Sequence, residues 1–101
     1  MVHRSALITG ATSGIGRAFA EALPEATDLV LTGRNEARLK TLGDFLSRDG
    51  RRVETVVADL ATETGRERVI AAAQTAEIEL LINNAGLGQF GAVVDNPPEA
   101  E

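Results

Sequence analysis

The 101-residue chain contains no cysteine, no tyrosine and no tryptophan. The first absence excludes a disulfide framework, a thiolate metal site and a cysteine nucleophile. The other two leave three phenylalanines as the only aromatics, which argues against an aromatic cage or a stacking platform for single-stranded nucleic acid. Positive charge is also scarce. Ten Lys and Arg against fifteen Asp and Glu give a formal net charge of -5. That sign argues against non-specific binding to nucleic acid or to anionic membranes, while leaving room for a local basic pocket. No apolar run approaches a membrane span, and the stretch around Leu7 is too short for a signal-peptide core, so the expected location is cytoplasmic. What remains, 44% hydrophobic and 25% charged, is the composition of an ordinary globular chain, and the length allows at most one domain.

Apolar runs and helical periods alternate along the chain. Leu7-Ile8 reads as a buried strand ending at Thr9-Gly10. From Ile15 the spacing turns helical, with Ile15, Ala18, Phe19, Ala22 and Leu23 on one apolar face, and Pro24 ends that helix. Leu29-Val30-Leu31 is a second strand, closed by Thr32-Gly33. Asn35 caps a helix that places Leu39, Leu42 and Leu46 on one side with Phe45 beside them. Glu36 and Lys40 are spaced as an i, i+4 ion pair, and Gly50 suits the C′ position. Val53 to Ala58 predicts a third strand, and Thr62 caps a helix to about Ala76 with Val69, Ile70, Ala73 and Ala76 inward. Leu80-Leu81-Ile82 is the fourth strand, and Asn96-Pro97-Pro98-Glu99 suits another helix start. His3 and Lys40 are expected on the surface.

Three strand–helix–strand crossovers in series imply parallel pairing with right-handed connections. Strands that are apolar throughout imply burial on both faces. The predicted fold class is therefore α/β, an open, doubly wound parallel sheet. Such sheets take their ligands beyond the carboxyl ends of the strands. Those ends are Thr9-Gly10, Thr32-Gly33-Arg34, Ala58-Asp59-Leu60 and Asn83-Asn84-Ala85-Gly86, the four most motif-like stretches of the sequence.

The first of them continues as Gly10-Ala11-Thr12-Ser13-Gly14-Ile15-Gly16. Its glycines permit a tight turn, close approach of a ligand to the backbone and tight packing of helix on strand. The open N–H groups at the helix start then suit a pyrophosphate. A phosphate loop of the Walker kind needs Lys-Ser/Thr after its last glycine, and a nucleophile elbow needs G-x-S-x-G. Neither pattern fits here. Gly86-Leu87-Gly88-Gln89-Phe90-Gly91 spells a better-known glycine motif, but Pro97-Pro98 follow too soon for a helix of useful length. We read it as a loop at the cleft.

Taken together, Thr9 to Gly16, Asp59-Leu60 and Asn83-Asn84-Ala85-Gly86 resemble the short-chain dehydrogenase/reductase family, in its branch with T-G-x-x-x-G-x-G and N-N-A-G. The resemblance covers essentially the whole chain. It implies a Rossmann-like sheet of strand order 3-2-1-4, with the first two helices on one face, the third on the other and the fourth strand left as a bare apolar edge. It also implies that Gly10, Thr12, Ser13, Gly14, Ile15 and Gly16 hold the cofactor pyrophosphate. Asp59 would accept from the adenine amino group, with the Leu60 backbone against the ring. Asn84, Ala85 and Gly86 would line the nucleotide ribose, while Asn83 and its neighbours steady the sheet.

At the second strand end an acidic residue would take a ribose 2′-hydroxyl and repel a 2′-phosphate. Gly33 and Arg34 stand there instead, and a guanidinium can hold the 2′-phosphate bidentately. NADP(H) is therefore expected over NAD(H). Two departures from the family pattern are Ser13, where NADP-binding relatives often carry a second basic residue, and Pro24, where relatives leave the first helix through glycine. The family's Tyr-x-x-x-Lys pair is absent, because the chain has no Tyr, and no catalytic residue is assigned. Residues 1–101 are then expected to be the N-terminal part of a single dinucleotide-binding domain, without its catalytic C-terminal part. The resemblance implies a parent oxidoreductase, possessing a small carbonyl or alcohol substrate and open to homo-oligomer formation, with no nucleic-acid or membrane partner. The isolated chain is expected to be inactive and marginally folded or self-associating. A non-enzymatic NADP-binding or interaction module is the alternative.

Overall fold

The computed structural model describes residues 4–84. Among them β1 (Ser5–Thr9), α1 (Gly14–Ala22), β2 (Asp28–Gly33), α2 (Glu36–Leu46), β3 (Val53–Val57), α3 (Glu63–Ala76) and β4 (Leu80–Asn83) alternate in chain order. The strands form one parallel sheet in the order β3-β2-β1-β4, the Rossmann-like arrangement expected. The register sets Thr9 beside Thr32 and Asn83 and Gly33 beside Val57. The four carboxyl ends are therefore level along one edge of the sheet.

Alternation along the strands feeds two cores. Ala6, Ile8, Leu29 and Leu31 pack with Leu39, Leu42 and Leu46 under α1 and α2. Leu7 and Val30 pack with Val69 under α3. Burial on both faces holds for β1, buried at all five positions, and for the middle of β2. It does not hold for β3 and β4, which lie at the sheet margins and keep exposed residues such as Leu81. An apolar groove of about 580 Å³ runs between α3 and β4, lined in part by Leu7, Val69, Ile70, Ala73 and Leu81.

Helix α1 docks on a different face from the one its apolar count suggests. Its buried residues are Gly16 and Ala20, with Leu23 packed partly behind them. Ile15 and Phe19 are 60% and 38% exposed, and Ala18 and Ala22 are exposed as well. The cause is steric. A Cβ at Gly16 would collide with the Gly10 carbonyl, so the closest approach of helix to loop is made there. The positions one and two turns on, Ala20 and Leu23, follow it inward.

Three smaller corrections concern α2 and α3. Ile70 is half exposed rather than inward, and Phe45, also half exposed beside the leucines, lies under the Arg17 guanidinium, whose Cζ is 4.8 Å from the ring centroid. Lys40 pairs with Asp44 at 3.4 Å instead of Glu36; Glu36 sits in the first turn, where the helix dipole already favours a carboxylate. Gly50 has the positive φ expected of it, +84°, but not as the helix cap. Helix α2 stops earlier, at Ser47, whose N–H and hydroxyl both donate to Gly43 O. Gly50 serves a turn closed by Arg51 N–H on Arg48 O. The Gly86–Gly91 loop, the helix start at Asn96 and His3 lie outside the described residues.

At the amino edge, far from the motif-bearing ends, Arg51 is 8% exposed. Its Nε donates to Thr27 O at 2.8 Å, Nη1 to Leu46 O at 3.2 Å and Nη2 to Pro24 O at 2.6 Å. One guanidinium thus ties the exits of α1 and α2 to the entry of β2. Burial lowers its pKa, the nearby Arg48 lowers it further, and Glu25 and Asp28 oppose both. Arg51→Met would take a donor from each of three carbonyls, of which Pro24 O keeps Thr27 N–H; a buried carbonyl left unsatisfied costs about 1–3 kcal/mol. Partial access to water reduces the sum. We expect a loss of about 3 kcal/mol in denaturant unfolding, with the motif-bearing strand ends undisturbed because Arg51 lies at the opposite edge.

Candidate functional site

The glycine loop leaves β1 at Thr9 and turns at Gly10, whose φ of +62° demands glycine. Ala11 N–H then donates to Thr32 O at 3.0 Å, anchoring the loop on β2. Ser13 caps α1: its hydroxyl oxygen accepts from Gly16 N–H at 3.0 Å, and its N–H donates back to Gly10 O. With Arg17 N–H on Ser13 O, the N–H groups of Thr12, Gly14 and Ile15 take no partner among the described residues. They are the donors that a helix start offers to an anion. No acidic residue stands in the first turn of α1, whereas α2 and α3 carry Glu36 and Glu63 there.

Gly14 needs correction as well. Its φ is not positive, and a Cβ built on it meets nothing within 4 Å. The fold itself does not require glycine at this position. The open space beside it, next to free N–H groups, is a cradle that a phosphate group fits and a side chain would fill.

Around the loop the other predicted residues take up neighbouring strand ends. Gly33 O accepts from Ala58 N–H, joining the ends of β2 and β3. Arg34 is exposed and makes no ion pair among the described residues. A Cβ at Gly33 would lie 3.6 Å from Thr12 Oγ1, an ordinary contact. Asp59 opens the turn into α3: its Oδ1 accepts from Ala61 N–H at 2.9 Å, and its carbonyl accepts from both Thr62 N–H and Thr62 Oγ1. Its Oδ2 takes no hydrogen bond from the described residues. Leu60 O accepts from Arg66 Nη1, while its side chain packs on the α3 core.

At β4, Asn83 Oδ1 accepts from Thr9 Oγ1 at 3.0 Å. Asn84, 4% exposed, turns its amide toward the glycine loop, donating to Gly10 O at 3.0 Å and Ser13 Oγ at 2.8 Å. Ala85 and Gly86 lie outside the described residues. Adjacent strands are about 4.8 Å apart, so Asp59, Arg34, the glycine loop and the asparagines follow one another along a single edge. Chain order reverses between β1 and β4, which is where such sheets bind ligands.

Two contributors escaped the sequence reading. Gly65, at the third position of α3, lies so close to the Asp59 backbone that a Cβ would collide with the Asp59 carbonyl. Thr62 Oγ1 caps Gly65 N–H at 2.9 Å, and a Thr followed three residues later by Gly was the available signal. The direction of the Asn84 amide had no signal in the sequence.

Comparison with known proteins agrees with this geometry. The family model for short chain dehydrogenases matches residues 4–100. Sulfoacetaldehyde reductase 2 of Chromohalobacter salexigens is 46% identical over 84 residues, covering 80% of this chain and 33% of its own. A short-chain dehydrogenase from Sphingobium yanoikuyae, solved in complex with NADPH, superposes with a TM-score of 0.70 at 43% identity, over 79% of this chain and 32% of its own. A short chain dehydrogenase/reductase from Burkholderia phymatum, solved with NAD, gives 0.68 at 35% identity, over 79% and 30%. The chain spans about a third of the length of the curated relatives it matches. With its sheet order, its glycine loop and these matches, the chain belongs to the short chain dehydrogenase family.

Proposed function

We propose that residues 1–101 form the N-terminal, cofactor-binding part of a single dinucleotide-binding domain. Its parent is an NADP(H)-dependent oxidoreductase that interconverts a carbonyl and an alcohol. The observation that carries this reading is the open cradle at Gly14, flanked by the N–H groups of Thr12 and Ile15, which have no partner among the described residues. Those N–H groups would hold the pyrophosphate against the positive end of α1. Asp59 Oδ2 would accept from the adenine amino group, with Leu60 beside the ring. When bound, the nicotinamide supplies hydride transfer to or from the substrate carbon. This chain would hold the adenosine and pyrophosphate end and assigns no residue to the proton, since Tyr is absent from the sequence.

Choice of cofactor rests on Gly33 and Arg34. The Arg34 guanidinium has no carboxylate partner among the described residues to give up, and each charged hydrogen bond to a 2′-phosphate contributes about 1.5–3 kcal/mol. Relatives solved with NADPH and with NAD support a nicotinamide cofactor in general. Preference for NADP(H) is our inference from these two residues. The double variant Gly33→Asp with Arg34→Ala tests it, and the 3.6 Å contact with Thr12 leaves room for the new side chain. Dissociation constants should favour NADP(H) by about tenfold or more before the change and NAD(H) after it. An unchanged ratio would place the phosphate partner elsewhere.

A further inference from the structure

Strand β3 ends the sheet on one side, with no strand beyond it among the described residues. Its backbone bonds settle which groups face outward. Leu29 N–H donates to Arg52 O and Ala58 N–H to Gly33 O, in a register that sets Leu29 beside Val53 and Gly33 beside Val57. A parallel ladder bonds alternate residues, so Arg52, Glu54, Val56 and Ala58 face β2. The N–H and C=O groups of Val53, Thr55 and Val57 point the other way. They open into a groove of about 760 Å³ that follows β3 between Lys40 of α2 and Arg68, Ala72 and Thr75 of α3. Open sheets of this order keep their third strand at the margin, so the edge stays free as the chain continues beyond β4. Four of the five β3 residues are β-branched, which suits them to further pairing.

The groove carries one charge of each sign at its two ends. Val53 and Val57 pack on the α2 side and Val56 on the α3 side, so Glu54 shares the α3 face. Helix α3 starts at the carboxyl end of β3, where Gly65 meets the Asp59 carbonyl. Arg68 follows one turn later, whereas Glu54 lies near the amino end of the strand. Both are exposed, and neither makes an ion pair among the described residues.

We propose that β3 pairs with β3 of a second copy of this chain, antiparallel about a two-fold axis through Thr55. That axis sets Thr55 opposite itself and Val53 opposite Val57, the residues whose backbone groups face outward, and forms roughly six N–H···O bonds. It also exchanges the two ends of the groove. Glu54 of each copy comes opposite Val56 of the other, on the face and at the end that carry Arg68. A carboxylate on an edge strand deters indiscriminate pairing. Here the second copy brings the guanidinium that answers it, which an unrelated extended peptide does not. Small side chains at Ala71 and Ala72 leave room where the two α3 helices approach, and Lys40 on the α2 side is already neutralised by Asp44. Because the paired strands run in opposite directions, the motif-bearing edges of the two copies face opposite ways and neither is covered.

The full-length protein carrying Thr55→Cys tests this register. Bonded antiparallel pairs bring two Cα atoms to about 5.5 Å, within the span of a disulfide, and only a two-fold through Thr55 does so for that residue and its own copy. Mild oxidation of dilute protein should join position 55 to position 55, as identified by peptide mapping. Adding Glu54→Arg should lower the yield about tenfold, and adding Arg68→Glu to both should restore it. Hydrogen exchange of the unaltered protein in concentrated solution gives a second readout. The amides of Val53, Thr55 and Val57 should exchange as slowly as those of Glu54 and Val56, which bond to β2 in either case. No link at position 55, a link indifferent to Glu54→Arg, or no rescue by Arg68→Glu would each overturn the proposal. So would fast exchange at the three outward amides. Slow exchange there without the link would overturn the second copy in favour of a different strand, from another protein or from a later part of the chain.

Discussion

Gly14→Val should weaken cofactor binding about 100-fold while leaving the fold intact. The substitution is tolerable to the protein because Gly14 has helical backbone geometry and a Cβ there meets nothing within 4 Å. Replacing glycine also lowers the entropy of the unfolded chain, so stability should hold or rise by about 0.4–1 kcal/mol. The ligand is excluded instead. A branched side chain occupies the cradle between the Thr12 and Ile15 N–H groups, where a phosphate must touch the backbone. We expect affinity to fall by about 100-fold, roughly 2.7 kcal/mol, in a calorimetric titration with NADPH, at an unfolding midpoint unchanged or raised. Retained affinity in the folded variant would mean that the loop does not hold the phosphates.

The same change at Gly65 should do the opposite and damage the fold first. There a Cβ collides with the Asp59 carbonyl and lies within 3 Å of other Asp59 backbone atoms. Neither partner can move freely, since Asp59 O also accepts both Thr62 donors and Gly65 N–H is capped by Thr62 Oγ1. Gly65→Val must lift the first turn of α3 off the end of β3. Overpacking of this kind costs about 3 kcal/mol, to be read as a lower midpoint in denaturant. Cofactor affinity should fall with it, because Asp59 and Leu60 are displaced together. A variant as stable as the parent would show that α3 does not need this close approach.

The contrast explains what the sequence could and could not disclose. Strand ends and caps were legible because they depend on local chemistry. Asn35, Thr62 and the turn glycine Gly10 announce themselves by residue type, and each caps or turns where expected. The orientation of α1 was not legible, because counting apolar residues favours Ile15 and Phe19, while the real constraint is the space allowed at Gly16. Lys40 had a carboxylate one turn away on either side, and spacing alone does not choose between Glu36 and Asp44. Gly50 was right as a positive-φ glycine and wrong as a helix cap, since Ser47 already satisfies Gly43 O three residues earlier. Within the site, the motif pointed to Gly14 and Asn84 by position alone. It could not tell that one faces open space and the other faces the loop, because those are facts of the third dimension.

The central claim is that one edge of the sheet, from Asp59 to the glycine loop, is a dinucleotide site. Hydrogen exchange of the full-length protein with and without saturating NADPH tests it most directly, since each segment reports separately. The account predicts slowed exchange in the segment from Thr12 to Gly16, whose free N–H groups gain a partner, and in the segment around Asp59 and Leu60. Exchange around Arg51, at the far edge, should not change. Protection confined to the groove between α3 and β4, or none in the glycine loop at ligand concentrations that saturate binding, would contradict it.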